Sequence, residues 1–279
     1  MTRWPVARYL LGDLRAAAAL AFLLSVFITA MLAPWLAPYS PSLQNVNDML
    51  AEPSAAHWLG TDDLGRDVLS RLIYGAPATL YASFLAVGLA VLLGVPVGLV
   101  AGFFGGVVDD VISRLIDALL SFPAIVLAIA VTGALGIGLT NGMIAVGIVF
   151  APQLARLVRA RTLVVRSEPY VDAARCFGAS TWHTLWRHVL PNAIQPVIVQ
   201  VTLLLAAALL AEASLSFLGL GIQPPNPSWG AMLARAYQTM EVAPEQMYPP
   251  GLAILFTALA FNAIGESLRV ALDPTLKGR

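Results

Sequence analysis

An all-α integral membrane fold of six transmembrane helices, with a short polar loop of helical character between the fourth and fifth, is what this 279-residue sequence predicts, on three observations. Hydrophobic residues make up 58% of the chain and charged residues only 11%, against about a quarter charged in ordinary soluble domains. Charge disappears over stretches that reach or exceed the roughly 20 residues an apolar helix needs to cross about 30 Å of hydrocarbon. The cations then fall almost entirely in alternate connections between those stretches.

The first crossing runs from about Ala16 to Trp35. Its apolar part is longer than the 7 to 15 residues of a signal-peptide core, and Pro34 stands where cleavage needs a small residue, so it reads as a retained span. The second lies between Arg71 and Asp109, from Thr79 to Phe103. The uncharged run from Ala118 to Ala155 is too long for one helix. Gly133, Gly136, Gly138, Asn141 and Gly142 supply a turn in its middle, which makes it an antiparallel pair, crossings three and four. The fifth runs from about Asn192 to the Leu218–Gly221 region, and the sixth from about Pro250 to Leu268.

Orientation follows from the cations. Of the 16 Lys and Arg residues, only Arg66, Arg71 and Arg235 fall outside if both termini are cytoplasmic. The expected plan is therefore one membrane domain over 1–279, with 1–15, the loop 156–191 and 269–279 in the cytoplasm, and 37–78 and 222–248 external. No soluble domain is expected.

Several function classes drop out. A net charge of zero gives no global field to hold nucleic acid, and Cys176, the single cysteine, rules out an intramolecular disulfide. Cys176 reads as a small semi-buried filler. The only lysine, Lys277, is followed by Gly278, so no GxxxxGK[ST] phosphate loop exists, and neither HExxH nor GxSxG occurs. His57 falls outside and His183 and His188 inside, so they cannot converge on one metal and read as polar surface residues. No catalytic residue or metal ligand is assigned.

Residues 168 to 191, EPYVDAARCFGASTWHTLWRHVLP, are the charged, aromatic-rich exception. Pro169 suits a first helical turn, the alanines sustain a helix, and Gly178 suits the left-handed position just past its end. Ser180 then caps a second helix in which Trp182, Leu185, Trp186 and Val189 share one face, and His183, Thr184, Arg187 and His188 the other. Pro191 is expected to stop it.

In this segment Asp172-Ala173-Ala174, Gly178 and Leu190-Pro191 stand in one register that resembles the EAA loop of binding-protein-dependent ABC importer permeases, with Asp172 where the motif's name has Glu. The resemblance extends to LAPWLAPYSP at 32–41, to HWLGTDDLGRDVLSRLIYGA at 57–76, to AEASLSFLGLG at 211–221 and to ALDPTLK at 271–277, all similar to the C-type permease of dipeptide and oligopeptide importers. It implies six transmembrane helices, a homologous second permease subunit, two cytoplasmic ATPases, an extracytoplasmic solute-binding protein and a place in the bacterial inner membrane. Tyr170, Asp172, Ala173, Ala174, Gly178, Leu190 and Pro191 would form the ATPase-coupling loop, and ATP and Mg would be bound by the ATPases, with no cofactor on this chain. The implied cargo is a peptide. Nickel and glutathione importers use similar permeases, and a stand-alone secondary transporter or membrane enzyme would instead need clustered intramembrane ionisable groups.

The external block carries the family motif Gly60, Thr61, Asp62, Gly65, Arg66 and Asp67. Its mixed signs within a few residues suggest ion pairs at i, i+3 and i, i+4 ordering a short surface helix. Acidic residues inside spans are costly and default to a functional reading. Asp117 and Glu266 lie near span ends, with Arg114 and Arg269 three residues away as expected partners. Glu212 has no basic neighbour in sequence, and it reads as facing a helix interface or the pathway lumen, where it would help seal or shape the external gate.

Overall fold

The computed structural model describes residues 10–272; the placements of Arg3, Arg8, Lys277 and Arg279, and most of the ALDPTLK end, lie outside them. The described residues are helical apart from loops and one isolated antiparallel bridge between Thr61 and Asp67. The helices are α1 (Leu14–Met31), α2 (Val68–Phe104), α3 (Gly106–Leu120), α4 (Ala124–Leu135), α5 (Leu139–Arg166), α6 (Pro169–Cys176), α7 (Gln195–Phe217), α8 (Trp229–Gln238) and α9 (Tyr248–Leu272). Five of them, α1, α2, α5, α7 and α9, are long and apolar enough to cross a membrane, and the bent pair α3–α4, counted as one broken span, makes six.

That third crossing differs from expectation. Helix does not begin a crossing at Ala118; α3 and α4 meet at 93° across Ser121–Pro123, and α4 has only 12 residues, about 18 Å. Pro123 explains the break, since it lacks an N–H and disfavours helical backbone at Phe122. The expected turn of the pair falls at Gly136 and Gly138, with φ of +96° and +151°. Asn141 Nδ2 caps the end of α4 by donating to the carbonyls of Leu135 (2.9 Å) and Gly136 (3.1 Å).

Two helices outrun their expected bounds. α2 starts at Val68 rather than Thr79, and its 37 residues span about 55 Å, well beyond the hydrocarbon. α5 continues past Ala155 to Arg166, so the polar loop begins as helix. The two pack on each other through a glycine every fourth residue of α2. A Cβ on Gly94, Gly98 or Gly102 would lie 2.6, 2.3 or 2.7 Å from the carbonyl oxygens of Ala151, Ala155 and Arg159 on α5. Gly147 of α5 answers from the other side, where a Cβ would meet the Ala86 carbonyl at 2.8 Å. Such small-residue stripes let backbones approach closely where lipid offers no hydrophobic drive for helix association. Around this seam Val95, Leu99, Leu154, Val158, Leu204 and Leu209 form the interior.

Ion pairs fix α3 on α5. Asp109 takes a two-pronged contact from Arg159, with Nη2 to Oδ2 at 2.7 Å. Asp117 pairs with Arg156 of α5 and not, as expected, with Arg114, whose side chain is exposed. Asp109 and Asp117, two turns apart on α3, share the face that meets α5, and no sequence spacing encodes that neighbour. Glu266 and Arg269 do pair, at 3.6 Å, on an exposed surface.

Candidate functional site

Two clusters carry the residues singled out by sequence, at opposite ends of α2. The first is the polar elbow after α5. Pro169 opens α6 as its first-turn residue, Asp172 lies in that first turn and Arg175 in the last, the arrangement a helix dipole favours. The helix ends in a Schellman motif: Gly178, at φ +83°, donates its N–H to Arg175 O (2.9 Å) and Ala179 donates to Ala174 O (3.0 Å). Ser180 caps the next turn, Thr181–Thr184, accepting from His183 N at 3.3 Å. These features match the sequence expectation.

Beyond Thr184 the elbow departs from it. Residues Leu185–Val189 form a π-helical turn that leads into a helical turn over Leu190–Ala193, so Pro191 does not stop the chain but opens the segment that runs on toward α7. Pro191 offers no N–H to the preceding turn, and the ladder widens there, with Leu190 N reaching Leu185 O. The carbonyl of His188 is served by side chains, Asn192 Nδ2 at 2.8 Å and Tyr170 Oη at 3.5 Å. The wider turn also splits the expected apolar face. Leu185 and Val189 are buried, with Thr184 beside them, whereas Trp182 and Trp186 are each 59% exposed.

The elbow is fastened to the bundle by Val171, Leu185 and Val189, all fully buried and part of the continuous interior. Arg166 Nη1 donates to the last carbonyls of α2, Gly102 O at 3.0 Å and Phe103 O at 3.1 Å. Arg175 stands over the Phe103 ring at 5.7 Å, and Trp182 meets Phe104 edge-on at 6.4 Å. What faces outward is a patch of small and apolar groups: Ala173 and Gly178 are exposed, Tyr170 is half-exposed and Phe177 is almost wholly so. Asp172 and Arg175 pair at 3.3 Å but remain exposed, a contact of little energetic weight. Cys176 is exposed as well, contrary to its reading as a filler. Leu190 is half-buried against the interior at the root of the elbow, and Pro191 beside it is exposed.

The second cluster is the 60–67 block, and it is not a surface helix. Gly60 and Gly65 adopt φ of +73° and +69°, and a Cβ on Gly65 would lie 1.8 Å from Asn45 O, so the chain folds back as a tight loop. Thr61 Oγ1 accepts from Ala51 N at 2.9 Å and donates to Asp48 O. Asp62 Oδ1 accepts from the backbone N–H of Leu64 and Arg66 at 3.0 Å each. Its Oδ2 takes Arg66 Nη2 at 2.6 Å and Arg71 Nε at 3.4 Å. Asp67 caps α2, accepting from Ser70 N at 2.7 Å, and receives His57 Nδ1 at 2.9 Å. His57 is therefore a partner in the loop rather than a free surface residue.

Sequence reasoning missed the long-range half of this network. Arg71 also donates to Pro41 O at 2.8 Å, Arg235 of α8 pairs with Asp63 at 2.5 Å, and Gln246 Nε2 donates to Thr61 O at 2.7 Å. A signal was present, since the three cations that depart from the charge-sidedness pattern, Arg66, Arg71 and Arg235, are the ones engaged here. Glu212, near the end of α7, is 1% exposed and accepts from Ser216 and Ser228. Among the described residues no group of three or more His, Cys, Asp or Glu side chains is placed to hold a metal.

Comparison with known proteins agrees with this architecture. Two structures of the MetNI methionine ABC transporter in inward-facing conformations superpose with TM-scores of 0.58 and 0.59, at 21% and 20% identity, over 72–73% of this chain and 96–97% of theirs, a likeness of fold. The glutathione transport system permease protein GsiD is 43% identical in Escherichia coli O1:K1 / APEC and 45% identical in Shigella flexneri serotype 5b, over 92% of this chain and 85% of each relative. Residues 4–53 match the N-terminal transmembrane domain of oligopeptide transport permease C. With residues 94–278 matching the family of binding-protein-dependent transport system inner membrane components, the chain belongs to that family, as a multi-pass transport subunit and not an enzyme.

Proposed function

We propose that this chain is the permease subunit of a bacterial ABC importer for small peptides, glutathione among them, with both termini and the elbow in the cytoplasm. It works beside a homologous second permease, two ATPases that bind ATP and Mg, and an extracytoplasmic solute-binding protein. The observation that carries the cargo class is the 43–45% identity to glutathione permeases along 92% of the chain. Glutathione is itself a short peptide, so it falls within the dipeptide and oligopeptide class rather than against it.

The drive enters at the elbow. Tyr170, Asp172, Ala173, Ala174 and Gly178 present an outward surface in which small side chains permit close approach and Asp172 offers an acceptor, while Leu190 and Pro191 fix its root. Thiol crosslinking from exposed Cys176 in native membranes is expected to capture an ATPase polypeptide, and failure to capture one removes this reading. For cargo, the thermal shift of the purified binding protein is expected with reduced glutathione or a dipeptide; a shift with Ni²⁺ alone would reassign it.

Gly178→Val gives a second expectation. A β-branched residue at φ +83° is strained by about 1–2 kcal/mol and reshapes the outward turn without touching the buried anchor. Assembly of the permease should persist while ATP-driven uptake in proteoliposomes falls at least severalfold. Unchanged uptake would show that the turn does not carry the coupling.

A further inference from the structure

The carboxyl group of Glu212 is buried at the end of the bundle opposite the elbow, and none of the ion pairs among the described residues involves it. Its Oε1 accepts two hydrogen bonds, from Ser216 Oγ at 2.8 Å and from Ser228 Oγ at 2.8 Å. Its Oε2 makes no well-formed hydrogen bond but rests on Gly230, whose backbone N–H is the nearest donor to it and where an added Cβ would approach that oxygen to 2.6 Å and Ala213 Cα to 2.6 Å. The two bonds are not equivalent. Ser216 lies one turn along the same helix, whereas Ser228 caps α8, its Oγ accepting from Ala231 N at 3.1 Å. Between Ser228 and Gly230 stands Trp229, buried, with its backbone N–H donating to Thr79 Oγ1 at 3.0 Å and its indole Nε1 to Leu72 O at 2.9 Å, both on α2.

Three consecutive residues thus tie the start of α8 to α7 and α2 together, with a buried carboxyl group as the anchor. A buried carboxyl group with one oxygen doubly served and the other offered only a poorly placed backbone N–H is incompletely satisfied, so the closed arrangement is specific without being deeply bound. We propose that Glu212 is a positioning residue for transport: chiefly through Ser228 it holds the start of α8 down over α2 and α7, and losing that bond shifts α8 toward a lifted state that opens this face of the permease. The role asked of Glu212 is that of a hydrogen-bond acceptor, not of a charge. It requires only that the chain is a transport subunit and is independent of the cargo and of the ATPase docking proposed above.

Ala76, 2% exposed and packed with Trp229 and Ile254, reports on lifting. Maleimide labelling of Ala76→Cys in a Cys176→Ser background, on the full complex in membranes, reads α8 directly. Uptake and ATP hydrolysis are then measured in proteoliposomes, so failure of the coupling reading shows separately. Ser228→Gly removes the donor while keeping most of the cap, because Gly costs only a few tenths of a kcal/mol at an N-cap. It should raise labelling about tenfold, the shift expected when a hydrogen bond to a buried carboxyl group is lost. Ser216→Ala, losing an equally short bond within one helix, should raise it far less. Glu212→Ala should behave as Ser228→Gly, and Glu212→Gln, which keeps the acceptor, should stay close to the parent. Equal effects of Ser228→Gly and Ser216→Ala would overturn the proposal, as would Glu212→Gln behaving like Glu212→Ala. Should Glu212→Ala fail to assemble, the contrast between the two serine variants decides.

Discussion

Replacing Gly98 with leucine is expected to remove the folded permease from the membrane. A Cβ at this position would sit 2.3 Å from Ala155 O, 2.8 Å from Val158 Cβ and 3.0 Å from Ala155 C, so two of its three nearest neighbours are backbone that no rotamer change can move. Even alanine forces α2 and α5 apart and should cost about 1–3 kcal/mol, the usual penalty of overpacking. Leucine adds three more carbons against the same backbone, and in a seam repeated at Gly94 and Gly102 the separation spreads along both helices. Fluorescence-detected size exclusion of tagged variants in mild detergent checks it. Gly88 on the same helix has no heavy atom within 4 Å of where its Cβ would be, so Gly88→Leu should elute at the parental position and yield. Comparable yields for Gly98→Leu and Gly88→Leu would refute the close-packed seam.

Asp62→Ala should be nearly as damaging, at the other end of α2. It strips the carboxylate from two guanidinium groups at once, Arg66 with 1% of its surface exposed and Arg71 with 5%, and orphans the backbone N–H groups of Leu64 and Arg66. Breaking a buried pair by removing one partner costs about 3–5 kcal/mol, since the remaining charge has nothing to solvate it. A lowered melting temperature of the detergent-solubilised complex is the measurement. Adding Arg66→Met to Asp62→Ala should recover part of the loss, because removing both partners of a buried pair is far less costly than removing one. Asp172→Ala breaks the exposed pair with Arg175 and should leave the melting temperature within error. A melting temperature for Asp62→Ala equal to that of Asp172→Ala would mean the network contributes nothing.

Where the two clusters lie was legible in the sequence; what they do inside the structure was only partly so. Absence of charge located every crossing but the third, which includes the charged helix α3, because lipid imposes one rule on every unbroken span. Pro169, Gly178 and Ser180 marked the elbow because each has a conformational preference that acts locally. The face of Trp182 and Trp186 was misplaced because it assumed a regular helical period, and Pro191 alters that period by withholding one N–H. The 60–67 block was read as a helix from its charge spacing, although Gly60 and Gly65 within it favour left-handed backbone. Partners such as Asp62 with Arg71, Asp63 with Arg235 and Asp117 with Arg156 depend on which helices become neighbours, and no short-range pattern records that.

Helix α2 is one unbroken rod of 37 residues, its first turn capped by Asp67 in the 60–67 block and its last carbonyls gripped by Arg166 beside the elbow. Pro77 and Pro96 both lie within it, and around Pro96 the glycines on either side, Gly94 and Gly98, press the helix against α5 like a splint. Trp229 hangs from the same rod near its other end. One continuous helix therefore joins the two clusters, and on the proposed function linkage would make their communication mutual: a partner that tilts the rod from the elbow and so changes binding at the far end would itself be held more or less tightly, by the same factor, when that end is occupied.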